Sequence, residues 1–240
     1  MKLRSIYSPN FDKKKRSKKS IKFIIIHYTG MQSERESLVR LCNHKSKVSS
    51  HYFIKNNGEI FKLVEDHYVA WHAGKSQWKN FKNLNKNSIG IELVNKGHKF
   101  GYTNFKKKQL SSLIRICKIL IKKYKIKREN VVGHSDIAPL RKIDPGEKFP
   151  WKKLAKYKIG IWYSCDYKLL KKLRKVKIFT KGQKIKFIKN LKKIGYCLTS
   201  KKSLFDKTVK AFQRHYRKQL INGFLDKECL IIAQNLSKKI

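Results

Sequence analysis

The sequence predicts a mixed α/β fold, a central β-sheet covered by helices, followed by a small all-α domain. Three observations carry this reading. Apolar, largely β-branched runs at 21–28 (IKFIIIHY), 89–94 (IGIELV) and 131–132 (VV) have the texture of strands buried on both faces. From Phe105 to about Lys125, Leu110, Leu113, Ile114, Ile116, Cys117, Leu120 and Ile121 recur at helical spacing, with lysines on the opposite face. Beyond Lys158 the pattern changes to helical segments near 167–176, 183–194, 205–218 and 227–236, so residues 1–160 are expected to form one domain and 161–240 a second.

Taken in order, residues 1–20 are basic and polar and read as an extended arm, with Tyr7 and Phe11 as its anchors. His27 stands at the end of the first apolar strand, and Ser33 with Glu36 forms a capping-box pattern that opens a helix running to about Cys42. Asn56-Asn57-Gly58 separates two strand-like runs, 51–55 and 59–64, as a hairpin turn, because Asn and Gly tolerate positive φ. A loop rich in aromatics and amides follows from Ala70 to Ser88 and reads as a cleft wall. Glu92 is conspicuous inside the next apolar strand, where a carboxylate is costly unless paired or used.

Composition bounds the function. The chain has 240 residues, 40% of them hydrophobic, enough for a core, and 60 Lys and Arg against 15 Asp and Glu give a formal net charge of +45. The lysines are spread over nearly every segment rather than gathered in a stripe, so the charge favours loose association with polyanions without specifying nucleic acid as a partner. Five cysteines without CxxC spacing argue against a disulfide framework and for a reducing compartment. The N-terminal stretch lacks the apolar core of a signal peptide, and no run of 18 apolar residues occurs, so a cytoplasmic protein without a spanning helix is expected.

The chemistry concentrates in Val131 to Trp151, VVGHSDIAPLRKIDPGEKFPW, a segment with too many breakers to be one helix. Such a segment positions side chains. His134 and Asp144, with His27, make the N,N,O donor set that a catalytic zinc commonly takes, leaving a fourth position open. Each also has a plainer reading: His27 as a strand end, His134 as a satisfied core histidine, and Asp144 as the start of a turn before Pro145.

The combined string of HYTG at 27–30, SSHYFIKNNGEIFKLV at 49–64, AWHAG at 70–74, SIGIELVN at 88–95 and GHSDIAPLRKIDPG at 133–146 resembles the zinc N-acetylmuramoyl-L-alanine amidases of the type-2 amidase family, over roughly residues 20–155. The resemblance implies zinc on His27, His134 and Asp144, with Glu92 and Lys142 as catalytic groups. It implies hydrolysis of the amide between N-acetylmuramic acid and L-alanine, in cell-wall turnover or recycling. Relatives on this fold commonly have cysteine as third ligand; aspartate at 144 implies the bacterial branch that cleaves peptidoglycan or its anhydro-muropeptides. Tyr28, Trp71 and His72 resemble groove residues that contact substrate, although Trp71 equally suits a core. Asn83 stands where some relatives have a basic residue for a peptide carboxylate, with Lys79, Lys82 and Lys86 nearby as substitutes.

The segments KKIGY at 192–196, FDKTVKAFQ at 205–213 and Gly223 to Asp226 are similar, more weakly, to the three-helix peptidoglycan-binding module, with Phe205 and Phe212 expected in its core. A wall-binding module would suit the periplasm or envelope, the alternative to the cytoplasm. A monomer acting on peptidoglycan or muropeptide is expected. The rival readings are a non-catalytic peptidoglycan-binding protein on the same fold and a nucleic-acid binder, whose affinity would fall steeply with salt.

Overall fold

The computed structural model describes residues 3–178, 180–198 and 202–240. In chain order its strands are β1 (Leu3–Ser5), β2 (Phe11–Asp12), β3 (Phe23–Tyr28), β4 (Tyr52–Ile54) and β5 (Ile60–Lys62), then β6 (Val69–Ala70), β7 (Gln77–Trp78), β8 (Phe81–Lys82), β9 (Ser88–Leu93) and β10 (Val131–Gly133). The helices are α1 (Glu34–Cys42), α2 (Gly97–Phe100), α3 (Lys107–Tyr124), α4 (His134–Ile137) and α5 (Trp151–Lys156), followed by α6 (Tyr167–Leu173), α7 (Lys181–Ile194), α8 (Lys202–Tyr216) and α9 (Lys227–Ser237). Six strands form one sheet in the order β1-β5-β4-β9-β3-β10, in which only the β4–β5 hairpin is antiparallel. The mixed α/β architecture read from the sequence is the one observed.

The central strands obey the burial that their composition demands. In β3, Ile24 and Ile26 face α3 and join Ile89, Ile91, Leu113, Ile116, Cys117 and Leu120 in one apolar cluster. Phe23 and Ile25 belong to a second cluster, which continues through Val132 into Phe187, Leu191, Phe212 and Ile232 of the C-terminal helices. The sheet is thus covered by α3 on one face, and its other face shares a core with the C-terminal helices. Residues 27 and 92 are partners in the β3–β9 register, near the carboxyl ends of parallel strands, where α/β sheets open their ligand crevices.

The N-terminal arm differs from the expectation. Rather than extending freely, β1 pairs in parallel with β5 at the sheet edge, and β2 pairs with β6. Tyr7 is 71% exposed and meets only the edge of Phe11 within the arm itself, whereas Ser8 and Asn10 are buried. Ser8 donates to the Leu41 carbonyl, and Asn10 Nδ2 to the carbonyls of Asn43 and Val48. Backbone pairing, buried amide bonds and the packing of the half-buried Phe11 ring on Tyr68 at 4.8 Å fasten the arm, so Phe11 is the aromatic anchor and Tyr7 is not. At α1 the capping pattern is realised: the Ser33 hydroxyl accepts the Glu36 amide at 3.1 Å.

Asp66 is the electrostatic knot between the arm, the hairpin and α3. Its carboxylate accepts the Tyr52 hydroxyl at 2.6 Å, the Tyr124 hydroxyl at 2.6 Å and Lys123 Nζ at 2.8 Å. Burial alone would raise its pKa, but these donors outweigh burial and hold it at about 2. A depressed folded-state pKa contributes stability that is present above the unfolded value of about 3.9 and lost as the pH falls through the folded one. Asp66→Ala is expected to cost roughly 3 kcal/mol at neutral pH, and the gap from wild type should close between about pH 4 and pH 2 in denaturant titrations. A gap independent of pH would refute the assignment.

Candidate metal centre

Three elements deliver three buried acceptor atoms to one point. His27 comes from the end of β3, His134 from the first residue of α4 after β10, and Asp144 from the loop that folds back beneath it. That return is fixed by backbone bonds: the Ser135 amide donates to the Asp144 carbonyl at 2.8 Å, and the Lys142 amide to the Ala138 carbonyl at 3.1 Å. His27 Nδ1 lies 3.0 Å from His134 Nδ1 and 3.0 Å from Asp144 Oδ2, and His134 Nδ1 lies 3.1 Å from the same oxygen. Ligands at 2.0–2.2 Å from a tetrahedral metal stand about 3.3 Å apart, so the triangle has the size of a coordination shell.

The opposite ring nitrogens show which way the lone pairs point. Ser88 Oγ is 2.6 Å from the Leu84 carbonyl, which can only accept, so the hydroxyl proton lies there. Ser88 Oγ must then accept from His72 Nε2 at 3.1 Å, leaving His72 Nδ1 as the acceptor for His27 Nε2–H at 3.0 Å. His27 is therefore protonated on Nε2 and turns a bare Nδ1 toward Asp144. His134 does the same by donating Nε2–H to the Ala73 carbonyl at 3.1 Å, an oxygen that Arg141 Nη2 also reaches. Two imidazole lone pairs and a carboxylate converging on one point fit a divalent cation, with the outer bonds that orient metal-binding histidines already made.

The electrostatics agree. Burial, helped by neighbouring His134, lowers the His27 pKa to about 4, so the ring is neutral and ready to ligate. Glu92 sits across from His27 on the adjacent strand, buried, and its Oε2 has no hydrogen-bond partner among the described residues. Its pKa is pushed up to about 8, first by burial, then by the charge of Asp144, against the opposing field of Lys142. Such a carboxyl exchanges protons near neutral pH. Lys142 is half-buried and close enough to act electrostatically on both Glu92 and His27.

The residues expected to touch substrate fall in different places. Tyr28 is half-buried beside the centre, and its hydroxyl meets His98 Nδ1 at 3.0 Å; His98 in turn pairs with Glu147. Trp71 gives its indole N–H to Asp12 of β2 at 2.7 Å and so clasps the N-terminal arm. His72 is buried with both nitrogens committed to Ser88 and His27, so it acts through a ligand and presents no free group to a substrate. The Ser88, Ala73 and Arg141 contributions were not read from the sequence. One signal was available: glycine at 90, on the strand beside Glu92, where a Cβ would lie 2.4 Å from the His72 ring.

The sequence profile of the N-acetylmuramoyl-L-alanine amidases matches residues 17–147, more than half of the chain. The chain belongs to this family. It is 36% identical to the N-acetylmuramoyl-L-alanine amidase AmiD of Escherichia coli (strain K12), over 91% of this chain and 83% of that protein. The solved complex of E. coli AmiD with anhydro-N-acetylmuramic acid-L-Ala-D-γ-Glu-L-Lys superposes with a TM-score of 0.81 at 34% identity, covering 95% of this chain and 92% of that one. AmpDh3 of Pseudomonas aeruginosa, in complex with anhydromuramic pentapeptide, gives a TM-score of 0.80 at 30% identity, covering 96% of both chains. The family's fold is therefore this chain's fold, and the match runs through the C-terminal helices.

Gly90→Ala tests the outer line of bonds, because the new methyl group must displace His72 and with it His27. Metal affinity is expected to fall roughly tenfold or more, measured by competition with a chelating dye. Unchanged affinity would mean that His72 does not position His27.

Proposed function

We propose that this chain is a zinc amidase that hydrolyses the bond between N-acetylmuramic acid, or its anhydro form, and the L-alanine of peptidoglycan stem peptides. The observation that carries this is the convergence of His27 Nδ1, His134 Nδ1 and Asp144 Oδ2 at about 3 Å, with Glu92 in register beside them. The relatives' activity and the muropeptides bound in their structures supply the reaction class. An N,N,O donor set with an open fourth position suits zinc.

His27, His134 and Asp144 would hold the ion. The chemistry that zinc supplies when bound is Lewis acidity toward the scissile carbonyl and a lowered pKa for a water. Glu92 takes the proton from the attacking water and returns it to the departing alanine nitrogen, a cycle suited to a carboxyl whose pKa lies near 8. The Lys142 ammonium stabilises the negative charge that grows on the carbonyl oxygen. Tyr28, the remaining half-buried group beside the centre, forms part of the substrate wall.

Stem-peptide carboxylates suit a cleft of about 570 Å³ between the 75–83 segment and the 137–141 turn. Its charged lining groups are Lys75, Lys82 and Arg141, with no acid among the described residues, and Asn83 stands among them. Residues 161–240 are proposed as a second, helical domain of the peptidoglycan-binding type. Phe212 in it is fully buried, so recognition there would not use its ring as a platform. Among the described residues no helix is long and apolar enough to cross a membrane. The five free thiols favour a reducing compartment, and with it a recycling role in the cytoplasm.

Purified protein incubated with anhydro-muropeptide and with intact sacculi should release free stem peptide, and a chelator should stop it. Glu92→Ala should lower kcat by about 10³-fold with metal retained, and Lys142→Ala by about 10²-fold. Full activity after metal removal, or in Glu92→Ala, would overturn the mechanism.

A further inference from the structure

Asp136 lies two residues after His134 in the HSD turn and is almost completely buried. Its carboxylate has three donors. Oδ2 accepts the Gly133 amide at 2.7 Å and His215 Nδ1 at 2.7 Å, and Oδ1 accepts the Tyr196 hydroxyl at 2.7 Å. The first donor is the peptide N–H immediately before the metal-binding histidine. The other two come from the C-terminal helices, Tyr196 just beyond α7 and His215 from α8. A buried carboxylate deprived of donors is costly, so Asp136 stays against Gly133 only while its partners remain.

Both partners are themselves fixed against the catalytic half. The His215 ring stacks on Trp151 at 4.0 Å and 15°, and Trp151 lies beneath Gly133, where a Cβ would come 3.3 Å from its ring. Tyr196 packs edge-on against Trp78 at 4.8 Å, and the Lys79 amide donates to the Gly195 carbonyl at 2.8 Å. The seam between the halves therefore adds to its shared apolar core a set of specific polar bonds centred on one carboxylate, and that carboxylate closes the turn from β10 into α4.

We propose that Tyr196 and His215 are positioning residues for the metal centre: acting through Asp136, the C-terminal helices hold the turn that presents His134. This rests on the zinc amidase reading but goes beyond it, because it gives the C-terminal helices a part in the catalytic site, separate from any recognition of the cell wall. Removing their two donors is expected to loosen His134, weakening metal binding and lowering kcat while leaving substrate affinity alone.

The test uses the full chain. Tyr196→Phe removes one hydroxyl and keeps the ring against Trp78; His215→Phe removes the donor and keeps the stack on Trp151. Zinc dissociation constants of metal-depleted protein are measured by competition with a chromophoric chelator, beside kcat, KM and Tm. The double variant should bind zinc roughly tenfold or more weakly, as loss of outer-shell support does elsewhere, with kcat reduced and KM within about twofold of wild type. Arg174→Ala is the control. It breaks the pair of bonds to Glu228 at 2.7 and 2.8 Å within the C-terminal helices and should lower Tm without changing zinc affinity. If the double variant does not fold, Tyr196→Phe alone carries the test, with at least about threefold weaker zinc binding expected. Wild-type zinc affinity in the variants, or an equal loss in Arg174→Ala, would overturn the proposal. Because affinity is read without substrate, its failure is distinct from a failure of the wild-type chain to cleave muropeptide.

Discussion

Two imidazole lone pairs and a carboxylate oxygen are held about 3 Å apart inside the protein, and much of the surrounding structure serves to keep them there. Such an arrangement is unfavourable among protein groups alone, since three acceptors face one another out of water. It persists because the opposite side of each ring is bonded to something rigid: His27 through His72 and Ser88 to the Leu84 carbonyl, and His134 to the Ala73 carbonyl. The sheet supplies the remaining precision by placing His27 and Glu92 at one register position on adjacent parallel strands. A cation at the meeting point satisfies the acceptors, and it lies beside a carboxyl whose pKa burial has moved near neutrality.

What was legible in the sequence is what local pattern encodes. Strand β3 announced itself by five apolar residues among the six leading to His27, helix α3 by its period, and the β4–β5 hairpin by Asn56-Asn57-Gly58. The three acceptor residues stood out because two of them share a loop full of helix breakers and the third ends a strand. Glu92 stood out because it interrupts an apolar run. The rest depends on contacts between distant segments. Nothing in residues 3–5 says that they will pair in parallel with β5, and Tyr7 looked like an anchor only because it is aromatic. His72 in AWHAG sits in a polar, aromatic loop, and only the fold shows it turned inward between His27 and Ser88. Asp136 drew no notice in the sequence: it caps the start of α4 within its own turn, but its partners Tyr196 and His215 lie 60 and 79 residues away.

The large positive charge has little to do with this chemistry. Most lysines lie at the surface, whereas His27, His134, Asp144 and Glu92 are buried; the cationic group that acts on Glu92 and His27 is the half-buried Lys142, while Lys75, Lys82 and Arg141 line a cleft. Charge of this kind assists encounter with an anionic wall fragment; orientation at the metal is set by neutral imidazoles and their carbonyl and hydroxyl partners.

The central claim is that His27 and His134 bind metal through Nδ1, with Asp144 as third ligand. Anomalous diffraction at the zinc edge from crystals of the zinc-loaded protein tests it directly. The account predicts one strong peak within about 2.0–2.2 Å of His27 Nδ1, His134 Nδ1 and one Asp144 oxygen. A peak bonded to Nε2 of either ring, or a zinc-loaded crystal with no peak at this position, would contradict it.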